Sequence, residues 1–324
     1  MQIINFLDCA KDLASILPNL WNQEYGFIFP ITDELFQRNT YGTKGFLPEN
    51  SYVALVDNQP IGFIITKTWD DDYKIPAYES VGWISLIFVQ QAFRSQGIGT
   101  RLLDLSINYF KNQGIKHIYL GKDYQNFFPG LPKDLKAFGD WFSKRGFEAL
   151  YETNDLINLN LSIFSKELLP YHDHHEYLIR LAKKEDLPQL LDFMTREFPG
   201  RWFVELKDYL NNGGKGDEYL ICLNSSQEVV GFCRIGTYQT PINLIGFSLT
   251  WRARFARLGG LGPLGVAKDH RHNNIAHNLL VTGVMELRNR GCNQAIIDWT
   301  NLLELYRKYG FEIWKTYIYT EIKL

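Results

Sequence analysis

Three features are scarce in these 324 residues. Long apolar runs are missing, and no stretch approaches the roughly 18 uninterrupted apolar residues of a membrane-spanning helix. A basic excess is missing: the formal net charge is -2, whereas a nucleic-acid binder usually carries a basic stripe. Paired cysteines are missing too. Cys9, Cys222, Cys233 and Cys292 are scattered with no CxxC, which fits reduced thiols better than a disulfide framework or a zinc site. The N-terminus, MQIINFLDCAKDL, lacks the charged-then-apolar pattern of a secretory signal. These absences predict a cytoplasmic protein with no membrane or nucleic-acid partner and no metal.

What is present is ample apolar material, 45% of residues, and a length that suggests about two domains. The two halves also read alike. With Arg94 set against Arg271, Ile98 meets Ile275, Leu102 meets Leu279, Leu103 meets Leu280, Ile107 meets Val284 and Phe110 meets Leu287. These positions recur at three- and four-residue steps, the spacing of one buried helix face. Upstream, QPIGFIITK (59–67) matches EVVGFCRIG (228–236); downstream, WFSKRGFE (141–148) matches LYRKYGFE (305–312). Matches in the same order along both halves indicate tandem duplication.

Each half reads as mixed α/β. In the first, QIINFL is a strand, CAKDLASILPNL a helix, and SYVALVD with PIGFIITKTW a hairpin. SVGWISLIFV is a strand apolar enough to be buried on both faces. A helix from about Ile98 to Asn112 stops near Gly114, and a strand, a helix and a strand follow. The expected domains are 1–165 and 176–324, with the linker near Ser162 to Glu176.

Residues Phe88 to Leu103 read FVQQAFRSQGIGTRLL. The first turn of a helix carries backbone N–H groups without intrahelical partners, and these favour an anion. Gly97 and Gly99 remove the Cβ atoms that would hold a phosphate away, and Arg94 offers a planar positive fork. The predicted chemistry is pyrophosphate binding by the amides of Ser95, Gln96, Gly97, Ile98, Gly99 and Thr100. A helix start that only packs is the alternative. A dinucleotide-binding Rossmann fold is another, with Asp123 as the ribose-binding acid. Against it, Leu102 occupies the third glycine position and QQAFRS separates strand from glycines.

At Arg94-Ser-Gln-Gly97-Ile-Gly99 the sequence resembles the GNAT superfamily of acyl-CoA-dependent N-acyltransferases, whose loop is Arg/Gln-x-x-Gly-x-Gly/Ala. The resemblance covers nearly the whole chain as two copies. It implies two tandem GNAT-like domains with mixed α/β sheets, acetyl-CoA or another acyl-CoA as cosubstrate, and a small-molecule or peptide amine as acceptor. It also implies that the backbone around Phe88 and Val89 bonds the pantetheine arm in an opening between splayed strands. The expected reaction is direct attack of the amine on the thioester. Glu79 and Asp298 are candidate bases, each with a solvated strand-end charge as its alternative.

The copies differ in what they keep. The second loop reads Arg271-His-Asn-Asn274-Ile-Ala276, where Asn274 would crowd a phosphate. By the resemblance, Tyr306 is the candidate thiolate-protonating acid and Asn301 a cofactor contact; a core tyrosine is the alternative for Tyr306. The first copy has Phe142 at that position. Three further stretches stay open. YHDHHEY, with His172, His174 and His175, lies in the linker without a cysteine partner and is not expected to hold metal. WRARFAR (251–257) reads as an exposed loop face, with CoA phosphates or an acidic substrate as alternatives. NFFPGLP (126–132) shapes a substrate slot or caps the core, and FPGRW (198–202) raises the same choice. A non-catalytic CoA-binding module and an aminoacyl-transferase of the tandem GNAT-like type are the rival functions. Mycothiol synthases share the tandem layout, which does not identify an acceptor.

Overall fold

The computed structural model describes residues 1–9, 11–164, 176–246 and 249–324. The first half forms β1 (Gln2–Asn5), α1 (Lys11–Tyr25), α2 (Asp33–Asn39), β2 (Tyr52–Val56), β3 (Gln59–Thr68), β4 (Val81–Val89), α3 (Ile98–Asn112), β5 (His117–Leu120), β6 (Leu131–Pro132), α4 (Lys136–Ser143) and β7 (Glu148–Asn158). The second half forms β8 (Leu178–Leu181), α5 (Leu187–Glu197), α6 (Arg201–Asn211), β9 (Tyr219–Leu223), β10 (Val229–Gly236), β11 (Leu258–Val266), α7 (Ile275–Asn289), β12 (Gln294–Thr300), α8 (Leu303–Arg307) and β13 (Glu312–Lys323). The histidine-rich stretch 171–175 lies outside the described residues. Among those described, no group of histidine, cysteine and acidic residues could hold a metal, and no helix is long and apolar enough to cross a membrane.

The chain forms two compact units, and neither is contiguous. Unit 1 is Met1–Thr153 with Leu249–Arg254 and Lys315–Leu324; unit 2 is Asn154–Ser248 with Phe255–Trp314. In unit 1, β1, β2, β3 and β4 pair antiparallel in that order, and β4 pairs parallel with β5. Parallel neighbours need a crossover, and α3 supplies it. Unit 2 repeats this: β8, β9, β10 and β11 are antiparallel neighbours, β11 and β12 are parallel, and α7 is the crossover.

Each sheet is completed by strand residues from the other half of the chain. β5 pairs with the end of β13, Tyr119 opposite Glu321 and His117 opposite Lys323. β12 pairs with the end of β7, Ala295 opposite Asn158 and Ile297 opposite Leu156. A single-sequence reading sees β7 and β13 as strands but not where they pair, because pairing is set by contacts distant along the chain.

β4 is buried at nearly every position, as its apolar run predicts. On α3, Ile98, Leu102, Leu103 and Phe110 turn into the core, and Gly114 (φ 73°) ends it in the left-handed conformation. Phe110 lies so close under β4 that a Cβ on Gly82 would sit 2.7 Å from its ring. The register of β3 against β4 shifts at Ile65/Thr66, and that of β10 against β11 shifts between Cys233 and Ile235. Such bulges bend a strand locally, and the duplication keeps one in each sheet.

Candidate active site

In unit 1 the chain leaves β4 through a short turn and enters α3 by two left-handed residues, Ser95 (φ 61°) and Gly97 (φ 80°). Gly97 is the N-cap of α3 and provides no side-chain cap. A Cβ built on Gly97 would meet nothing within 4 Å, so the glycine faces open space. That space is a cleft of about 570 Å³ bordered by Phe88, Val89, Arg94, Ser95, Gly97, Ile98, Gly99 and Thr100. Gln96 is exposed and its amide donates to Ala92 O at 3.3 Å.

Arg94 differs from expectation. Its Nε donates to Val89 O at 2.8 Å, and its Nη2 is ion-paired with Glu24. Glu24 also accepts from Gln91 N at 2.7 Å. The guanidinium therefore ties the end of β4 to α1, and Glu24 offsets the charge it would lend a phosphate. Unit 2 keeps two of these three ties: Arg271 Nε donates to Val266 O at 3.3 Å, and Lys268 N donates to Glu197 at 3.3 Å. The arginine of the motif holds the loop in shape in both copies.

The opposite wall of the cleft is one face of α4 and the turn after it: Ala137, Phe138, Trp141, Lys144 and Arg145. Their three- and four-residue spacing is visible in the sequence. Arg145 lies over the Trp141 ring at 3.8 Å and donates through Nη2 to Thr100 Oγ1 at 2.7 Å. Positive charge thus reaches the start of α3 from α4. Burial raises the pKa of Tyr25, also in the cleft, although Arg94 opposes the shift.

Behind the cleft, β4 and β5 separate. They pair from Val81 opposite His117 to Ile84 opposite Leu120. Beyond that point Gly121 N donates to Ile84 O, and Lys122 N donates to Phe128 O at 2.9 Å. The parting leaves a slot of about 40 Å³ between Ile84, Ser85, Leu86 and Ile87 on one strand and Leu120 and Gly121 on the other. Ile87 and Phe138 border both the cleft and the slot. Phe128, Leu131 and Pro132 also line the slot, while Phe127 is buried against Phe36. NFFPGLP is therefore both wall and core.

Asp123 follows the parting and is fully buried. Its Oδ2 lies 2.6 Å from Lys67 Nζ, with both side chains only 1% exposed, and accepts from Ser85 Oγ at 2.9 Å. Lys67 Nζ also donates to Gln125 O at 2.9 Å and Tyr124 O at 3.3 Å. This corrects the ribose-acid alternative, because Asp123 turns into a sealed ion pair. It also brings in Lys67 and Ser85, which no motif announced. In WRARFAR, Ala253, Arg254, Ala256 and Arg257 are exposed as expected, whereas Trp251 is wholly buried in unit 1, 5.7 Å from the Phe29 ring.

The remaining expected residues fall in both units. Glu79 is exposed in unit 1, just before β4. Asn301, Asp298 and Tyr306 belong to unit 2. Asn301 is exposed, whereas Asp298 and Tyr306 are partly buried. Burial, then the neighbouring Cys233, Tyr309 and Asp298, push the Tyr306 hydroxyl up to about 12. The loop of unit 2 has the same backbone shape, with His272 at φ 68° and Asn274 at φ 55°. Asparagine thus adopts the left-handed angle of Gly97 but adds a side chain there. In FPGRW, Arg201 lies over Trp299 at 4.3 Å and pairs with Glu205 at 2.7 Å.

Comparison with known proteins fits this geometry. The profile of the acetyltransferase (GNAT) family matches residues 14–128 and again residues 187–311. An N-alpha-acetyltransferase 30 of Schizosaccharomyces pombe is 33% identical over 79 residues, which is 24% of this chain and 50% of that protein. The chain thus spans about half the length of that curated relative. A glucosamine N-acetyltransferase region of a fungal multi-domain GH3 β-N-acetylglucosaminidase superposes over 99% of this chain and 38% of that one, with TM-score 0.86 and 21% identity. A tandem GNAT protein from the clavulanic acid biosynthesis pathway superposes over 99% of this chain and 98% of its own, with TM-score 0.68 and 10% identity. At such identities the structural likeness is one of fold.

Proposed function

Because this chain belongs to the acetyltransferase (GNAT) family, with one family match in each half, we propose that unit 1 binds acetyl-CoA in its cleft and slot and passes the acetyl group to an amine. The observation that supports this most is the continuity of two features. The cleft opens on unshielded amides at the start of α3, and it meets the slot at Ile87 and Phe138. The residues fit the ligand. The amides, Lys144 and Arg145 suit phosphates, and the space before Gly97 admits them closely. The parted β4 leaves backbone groups around Phe88 and Val89 for the pantetheine amides.

The amine attacks the thioester directly, and the acceptor is a small-molecule or peptide amine. The relatives suggest two to try, glucosamine and a peptide α-amine. Glu79 in unit 1 and Asp298 in unit 2 are the proposed proton acceptors, acting through water. Tyr306 is the proposed acid of unit 2, with Asn301 as a cofactor contact there. Unit 1 has Phe142 at the tyrosine's position, buried at the slot, so its leaving thiolate takes a proton from solvent.

Calorimetry with acetyl-CoA on wild type, Gly97→Trp and Asn274→Trp tests the reading. Loss of the main binding event in Gly97→Trp alone is expected. Unchanged affinity in Gly97→Trp refutes it.

A further inference from the structure

From the polarity of one buried hydrogen bond we infer that Ser85 aims the attacking amine in unit 1, and that Asp123 and Lys67 position Ser85. The inference rests on the reading that acetyl transfer occurs at this slot. Ser85 lines the slot, where β4 has parted from β5. A hydroxyl has one hydrogen and two lone pairs. The Ser85 hydrogen is committed, since a carboxylate can only accept and Ser85 Oγ donates to Asp123 Oδ2. What Ser85 offers the slot is therefore a lone pair.

A lone pair has a restricted choice of partner in acyl transfer. It cannot stabilise the oxyanion that develops on the thioester carbonyl, which needs a donor. It can accept an N–H from the nucleophile. A hydroxyl that donates to a carboxylate is also polarised, which strengthens it as an acceptor. Lys67 fixes the arrangement from behind. Its ammonium grips Asp123 Oδ2 and the carbonyls of Tyr124 and Gln125, so the carboxylate cannot turn away from Ser85. Asp123 Oδ1 is buried and receives no hydrogen bond among the described residues. Asp123 is not part of the slot lining, so this oxygen is not offered to the substrate. The chemistry that matches is a nucleophile that presents an N–H, an amine.

The three residues come from β3, β4 and the segment after β5, with Ser85 and Asp123 separated by 38 positions along the chain. In this division of labour Ser85 touches the substrate, whereas Asp123 and Lys67 act through it. Asp123→Asn keeps the polarity of the Ser85 bond but not the carboxylate charge. Because Lys67 and Ser85 share Oδ2, the amide oxygen placed there still accepts from both, and the variant removes only the charge that polarises the serine.

The test is CoA release from acetyl-CoA with glucosamine, with a peptide bearing a free N-terminus, and with water alone. Water must also give up a proton, so it supplies a rate if neither amine does. Acetyl-CoA affinity is measured alongside by calorimetry. Ser85→Ala is expected to lower kcat about 10- to 100-fold, the scale of a misaimed nucleophile, with acetyl-CoA affinity unchanged. Ser85→Thr, which keeps the hydroxyl, restores most of the rate, and Asp123→Asn, which keeps the acceptor but not its charge, falls between wild type and Ser85→Ala. A Ser85→Ala protein that binds acetyl-CoA and keeps its kcat overturns the inference alone. So does loss of acetyl-CoA binding in Ser85→Ala, which makes the serine structural. A wild type that does not bind acetyl-CoA overturns the proposed function itself.

Discussion

Arg145 reaches the first turn of α3 and donates to Thr100 Oγ1 at 2.7 Å. In the aligned positions of unit 2, Tyr309 OH lies 2.5 Å from Nδ1 of His277. Duplication has kept the contact between the two helices and changed its chemistry. The cationic version stands beside the open cleft. Arg145→Ala is expected to weaken acetyl-CoA binding by about tenfold or more, the scale of one hydrogen bond to a charged group. Tyr309→Phe is expected to leave it unchanged. Calorimetry at two salt concentrations checks this, because the arginine's contribution should shrink with added salt.

The glycine can be separated from the loop's shape by exchanging residues between the copies. Gly97 and Asn274 share a left-handed backbone, and asparagine tolerates that conformation better than most residues. Gly97→Asn should therefore fold with its thermal midpoint nearly unchanged. Its acetyl-CoA affinity should nevertheless fall about tenfold or more, since the new side chain enters the open space before the helix. An unchanged dissociation constant would show that the ligand does not approach there.

Lys67 and Asp123 make a stability prediction of their own. Both side chains are 1% exposed, and removing one partner leaves a buried charge alone. Lys67→Met should cost about 3–5 kcal/mol, read from urea denaturation. The double variant Lys67→Met/Asp123→Leu should regain much of that loss. Equal destabilisation in single and double variants would mean that the charge itself is not the cost.

Burial holds the Tyr306 hydroxyl up to about 12, against about 10 for an ordinary phenol. The folded state therefore disfavours the phenolate. The associated stability is complete below about pH 10 and is lost as pH rises towards about 12. Tyr306→Phe should lessen the fall in unit 2 stability across that window. Denaturation at a series of alkaline pH values checks the sign.

The thiols give an independent check on burial. Cys222 and Cys233 are pushed up to about 12 and Cys292 to about 11, in each case first by burial. At about pH 8 these three should react with a disulfide reagent only after unfolding, leaving Cys9 to label in the native protein.

Much of this site is written locally. Gly97 declares itself because a left-handed N-cap and an unshielded phosphate site both favour glycine, and both needs fall within one loop. The helix face after Ile98 and its stop at Gly114 are local for the same reason. The α4 wall was legible as a pattern. Phe138, Trp141 and Arg145 are spaced three and four apart, yet spacing does not say which cavity a face borders. Asp123 stood out in the sequence with another role, and its pairing with Lys67 and Ser85 was beyond reach because three distant segments bring them together. Trp251 was hidden differently: an arginine-rich run reads as exposed, although one residue within it fills a core.

The strand exchange imposes an order on synthesis. Unit 1 begins with Met1, yet the strand beside β5 is drawn from Lys315–Leu324. While the ribosome is still translating the second half, β5 has an open edge in place of this partner, and nascent unit 1 must wait, exposed to mispairing or chaperones, until residues 315–324 emerge.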